Sequence, residues 1–103
     1  MKGIGDIQKM VKQAQEMQDR MQKEMAEMRV EGSSGGGMVT LVLDGNKTPV
    51  SLRIDPEVVN KDDVDMLQDL ILAALNDAGA KVGEALSQKL GALGAGLKIP
   101  GLF

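Results

Sequence analysis

The chain has 103 residues, 12 of them basic and 15 acidic, for a net charge of −3. It contains no Cys and no His, which excludes disulfides, thiol nucleophiles, imidazole acid–base chemistry and the usual zinc or haem ligation. One domain is the size implied, and its core must come from Leu, Ile, Val, Ala and eight Met, because Phe103 is the single aromatic residue. A core that small gains from oligomerisation. The opening Met1–Asp6 has no apolar signal core and no apolar run spans a bilayer, so a soluble cytoplasmic protein is the expectation.

The first element is a helix over about 4–29. Ile7, Ala14, Met21 and Met28 recur one heptad apart, with Met10 and Met17 three residues behind the first two and Val11 and Met25 on the same side. This is a long apolar stripe of coiled-coil period. Lys9, Lys12, Glu16, Asp19, Arg20 and Lys23 fill the polar faces. Glu16–Arg20 and Asp19–Lys23 have the favourable order for helix ion pairs. At 1.5 Å per residue such a helix approaches about 40 Å, longer than so small a domain needs to cover its core. A projecting arm or a partner helix follows.

Gly32–Gly37 is a run of six small residues between helix and strand patterns. As a phosphate cradle it fails: a Walker loop needs Lys and Ser/Thr after the last Gly, a strand before and a helix after. Here Met38-Val39-Thr40 follows, and the order of elements is reversed. The run reads as a turn that frees the first helix from a sheet. Met38–Leu43 and Val50–Ile54 have strand patterns, separated by the turn signal Asp44-Gly45-Asn46. With a short first strand they make a three-stranded antiparallel meander over about 29–54.

Pro56 ends the last strand and opens a short helical turn through Val59. Asn60 or Asp62 caps the second long helix, about 63–90, with Asp63 and Asp65 in its first turn. Val64, Leu67, Ile71, Leu75, Ala78 and Val82 form its main stripe, and Gly79 and Gly83 weaken it. Residues 91–103 read as a flexible Gly- and Leu-rich tail, leaving 1–90 as the single domain. The fold class is therefore α+β: long N-terminal helix, three-stranded antiparallel sheet, long C-terminal helix.

Chemistry is thinly represented. Asp62, Asp63 and Asp65 suit helix capping better than a hard cation. Ser33, Ser34, Ser51 and Ser87 have no His to activate them, so no catalytic residue, cofactor or metal is assigned and an enzyme is not expected. Base stacking lacks aromatic platforms, whereas duplex binding needs only cations that meet phosphates. The acid is concentrated in the middle: residues 31–65 carry three basic and seven acidic groups, against six and five in 1–30 and three of each in 66–103. Lys2, Lys9, Lys12, Arg20 and Lys23 lie on the first helix, with Lys81, Lys89 and Lys98 toward the other end.

Four segments carry a family resemblance. They are Met10–Gln18 in the first helix, Val30–Val39 entering a strand, Ile54-Asp55-Pro56, and Met66–Ile71 with Ala73–Ala78. In order and spacing, across essentially the whole chain, they resemble the YbaB/EbfC family of bacterial nucleoid-associated proteins. The resemblance implies a homodimer whose sheets associate and whose long helices project as tweezer-like arms. It implies binding of double-stranded DNA with little sequence specificity, a change in DNA conformation, and a role in nucleoid organisation or gene regulation, with no membrane and no small-molecule substrate. The helix-borne cations it would use here are Lys9, Lys12, Arg20, Lys23, Lys81 and Lys89. Basic residues often found just before Ile-Asp-Pro in the family are Val50 and Ser51 here, with Lys47 and Arg53 nearby. The alternative reading of the residues is a non-catalytic protein–protein adaptor that uses its Met-rich helix.

Overall fold

The computed structural model describes residues 2–97, with side chains from Gly3 to Gly91. Helix α1 is Lys2–Glu27, the strands are β1 Val30–Ser34, β2 Val39–Leu43 and β3 Pro49–Ile54, and helix α2 is Val64–Leu97. The sheet is antiparallel in the order β1-β2-β3. This is the α+β architecture the pattern implies.

One face of β2 supplies the core. Val39, Leu41 and Leu43 are buried against Ala74, Ala78 and Val82 of α2, with Val58 closing one end. Alternation puts the three β2 residues on one side of the pleat, and four-residue spacing puts the three α2 residues on one stripe. Gly32 makes the close approach possible. A Cβ there would collide with the Ala78 backbone nitrogen and the Ala74 carbonyl oxygen, so β1 lies directly on the helix backbone. α2 packs chiefly on β1 and β2. Leu52 faces the same side, paired with Leu41, yet stays 49% exposed because the helix does not reach β3.

The six-residue run divides differently from the sequence reading. Gly32, Ser33 and Ser34 are strand β1 itself, and only Gly35–Gly37 form the loop to β2. All three loop glycines have left-handed φ, at 59°, 68° and 94°. That conformation suits glycine and lets the hairpin close. The first helix is instead released at Met28-Arg29, where Arg29 donates to the Ala26 and Met28 carbonyl oxygens at 2.8 Å and closes the helix end.

Two further boundaries shift. Asn60 closes its own turn by accepting from the Asp62 N–H, and the α2 cap is Asp63, whose carboxylate accepts from Met66 N–H at 3.2 Å. α2 then continues to Leu97 rather than ending near residue 90. Gly79 and Gly83 each cost about 1 kcal/mol against Ala, but Val82 and Leu86 anchor the helix on either side of Gly83. No proline interrupts the sequence between Val64 and Pro100. Of the expected tail, 98–103 lies outside the described residues.

The molecule is long. Its extents are 75 × 25 × 16 Å and its radius of gyration is 20.3 Å, against about 13 Å for a compact chain of this length. The two long helices set this length, and in α1 every residue from Gly3 to Glu24 is exposed.

Candidate nucleic-acid interface

α1 is held at its root. The Gly45 N–H donates to the Met25 carbonyl oxygen at 2.8 Å, and a Cβ at Gly45 would stand 2.9 Å from that same oxygen. The turn carrying Gly45 is fixed by Asp44, whose carboxylate accepts from Asn46 N–H at 2.8 Å and Thr48 N–H at 2.9 Å. On the other side Glu24 pairs with Lys89 of α2 at 2.8 Å. Met21, Met25, Leu86 and Leu90 leave an apolar cavity of about 200 Å³ beneath that pair. The Lys89 ammonium, by hydrogen bond and by charge, holds the Glu24 carboxyl below the usual glutamate range.

Beyond the root the helix has two faces. At 100° per residue, Lys9, Lys12, Arg20 and Lys23 fall within about 80° of its circumference. Ile7, Met10, Ala14, Met17 and Met21 occupy the opposite side. All four cations are exposed, with Glu16 between them. The two ion pairs among the described residues are Lys81–Asp77 and Lys89–Glu24, so neither Glu16–Arg20 nor Asp19–Lys23 closes.

The six candidate cations thus separate into two groups. Lys9, Lys12, Arg20 and Lys23 share one open face of α1. Lys81 and Lys89 on α2 are each engaged by a carboxylate. Asp77 is a residue whose role the sequence reading missed. Its carboxylate accepts from Ser33 N–H at 2.9 Å and from Lys81 at 3.0 Å, tying β1 to α2. The Ser33 N–H, then Lys81, lowers its pKa from the usual aspartate value. The only sequence signal was the i,i+4 spacing of Asp77 and Lys81; the strand partner lies 44 residues away. Lys98 lies outside the described residues, as does the side chain of Lys2.

A bare, cation-bearing helix projecting from a small sheet–helix body is the architecture of a binding module. Comparison with known proteins sharpens this class. The chain matches the YbaB/EbfC DNA-binding family over residues 1–97, and it belongs to that family. It is 54% identical over 104 residues to a nucleoid-associated protein of Geobacillus kaustophilus, covering 98% of this chain and 96% of the other. A nucleoid-associated protein of Caldanaerobacter subterraneus is 48% identical over 101 residues, covering 95% and 91%. An uncharacterized protein from Helicobacter pylori shares the fold, with TM-score 0.69, 22% identity and coverage of 84% and 91%. The family is one of DNA-binding proteins rather than a class of enzymes. Among the described residues no helix is long and apolar enough to cross a membrane.

Proposed function

We propose that this chain acts as a non-enzymatic homodimer that binds duplex DNA with little sequence specificity. In this role it alters DNA conformation, organising the nucleoid or regulating expression within the bacterial cytoplasm. The observation that carries the reading is the α1 face. Lys9, Lys12, Arg20 and Lys23 line up over about 21 Å of helix, exposed and without a carboxylate ion pair. Contacts of this kind go to phosphates and position a duplex without reading bases. Lys81 and Lys89 contribute once phosphate displaces Asp77 and Glu24.

Dimerisation is supported by what α2 leaves uncovered. Leu52 on the helix-facing side of the edge strand β3, and Leu72 and Leu75 on the adjoining flank of α2, are 37–56% exposed. Beside them Leu43, Leu75, Gly79 and Gly83 line an open groove of about 460 Å³. A second copy placed here joins sheet to sheet and leaves both α1 arms free.

The test is a gel-shift series on random-sequence duplex at rising salt. A dimer using four to eight cations loses affinity with a log–log slope of about −4 to −7. Absence of any complex at low salt with micromolar dimer sinks the reading. The adaptor alternative draws on one observation, the exposed α1 stripe. Recovery of one protein partner after nuclease treatment, with no DNA binding, favours it.

A further inference from the structure

Among the described residues, the apolar stripe of α1 meets α2 only at its root, where Met21 and Met25 approach Leu86 and Leu90. Ahead of the root, Ile4, Ile7, Met10, Val11 and Met17 are 51–67% exposed. Their heptad recurrence is the seam of a two-stranded coiled coil. We propose that the stripe is covered by the same stripe of a second copy, the two α1 helices lying antiparallel with Ile7 against Met17 of the other copy and Met10 against its Ala14.

Charge selects this arrangement. Asp6, Gln13 and Arg20 run along one edge of the stripe, and Ile4, Val11 and Gln18 along the other. In an antiparallel pair each edge meets its own counterpart. Asp6 then faces Arg20 of the second copy, Gln13 faces Gln13, and the ion pair occurs twice by symmetry. On the other edge Val11 meets Val11. A parallel pair sets each edge against the opposite one, so Asp6 falls beside Val11 and Arg20 beside Met25, with no charge matched. Sliding the antiparallel pair by one heptad brings Asp6 against Glu27 and buries Glu24 against Ile7. Both are unfavourable.

Length selects the same register. The bare part of α1 ends at the root, where Glu24 meets Lys89 and Met25 meets Gly45. With Ile7 opposite Met17, the second copy's helix begins opposite that root and no farther. Five side chains giving up roughly 100 Å² each bury about 1,000 Å² in total over both copies, at the low end for specific interfaces. The association is reversible, and two arms on one dimer reinforce each other. Lys9, Lys12 and Lys23 lie away from the seam and stay exposed, on outward faces of the paired arms, while Arg20 is engaged at the edge by Asp6 of the second copy. Two duplexes can therefore be held by one arm pair. That last consequence rests on the DNA-binding reading; the pairing itself does not.

The experiment uses the cysteine-free full chain, nuclease-treated, with single cysteines and a short bis-maleimide crosslinker. Gln13→Cys is expected to link to itself. Ile7→Cys alone stays unlinked, because its counterpart is displaced by ten residues, about 15 Å. It links when mixed with Met17→Cys. Self-linking of Ile7→Cys with Gln13→Cys silent shows parallel helices and overturns the proposal. So does silence from every cysteine. Asp6→Arg in the Gln13→Cys background lowers the linked yield at least about threefold, and adding Arg20→Asp restores it. A yield indifferent to both charge changes overturns the register.

Discussion

The sheet–α2 body and the α1 arm are built from the same apolar alphabet and use it in opposite ways. In the body, Val39, Leu43, Ala74, Ala78 and Val82 are 0–1% exposed, and β1 touches helix backbone through Gly32. In the arm, Ile7, Met10 and Met17 are 60–67% exposed. Burial in the body stabilises the fold. Apolar area left in water on the arm does not, so its periodic placement is directed at something outside the protomer. The residue types agree with this division. Branched and small residues specify the body's tight contacts, whereas flexible Met suits a surface that must associate and separate.

The largest effect should come from filling the closest contact in the body. Gly32→Ala drives a methyl into the Ala74–Ala78 backbone and lifts α2 from the sheet. A loss of about 3 kcal/mol or more in denaturant unfolding is expected. A variant as stable as the parent would mean that β1 and α2 are not in backbone contact. A matched pair then separates the two regions. Leu43→Ala, at a site 1% exposed, should cost about 2–5 kcal/mol. Met17→Ala, 60% exposed, should stay within about 0.5 kcal/mol at dilutions where arms are apart. Equal losses at both positions would show that the arm folds back onto the body.

Sequence made the arm and the elements legible, but not the attachments between them. The heptad of Ile7, Ala14 and Met21 announced a helix too long for its own domain, and strand alternation located β2 and β3. The glycine run was harder. Gly32 and Gly35–Gly37 look alike in a string, yet one is a point of helix–sheet contact and the others supply left-handed φ. Nothing local distinguishes them; the difference is Ala74 and Ala78, some forty residues on. Among the candidate cations, helical spacing alone gathers Lys9, Lys12, Arg20 and Lys23. That Lys89 is held by Glu24 depends on where α1 turns back past α2, which Gly45 and Arg29 decide.

The cationic face provides a smaller perturbation that should act on binding alone. Lys9→Ala with Lys12→Ala should weaken DNA binding across all sequences alike. The salt slope should fall by about one per cation removed, up to four in a dimer, without moving the unfolding midpoint. Lys81→Ala should change the slope less, because Asp77 already occupies that ammonium at 3.0 Å. A larger effect from Lys81 than from the α1 pair would move the interface onto the body.

The finest distinction is between two carboxylates, one in each region, both held below their usual pKa. Asp77 accepts from the Ser33 N–H and Lys81 within the body; Glu24 accepts from Lys89 at the arm root. A carboxyl depressed in the folded state stabilises the fold above its unfolded pKa. That stabilisation fades as pH falls through the folded value. Both contributions are therefore complete at neutral pH and are lost in acid, below the ordinary carboxylate range. Their consequences differ because of what each one joins. Protonating Asp77 unties β1 from α2, so Asp77→Asn should lower the unfolding midpoint at pH 7 and flatten its acid dependence. Glu24→Gln severs the tie between arm and body while the core stays packed. It should leave the midpoint almost unchanged yet widen the distance distribution between spin labels on α1 and on the exposed end of α2. If Glu24→Gln lowers the midpoint as much as Asp77→Asn, arm and body unfold as one unit, and the division between them is only one of shape.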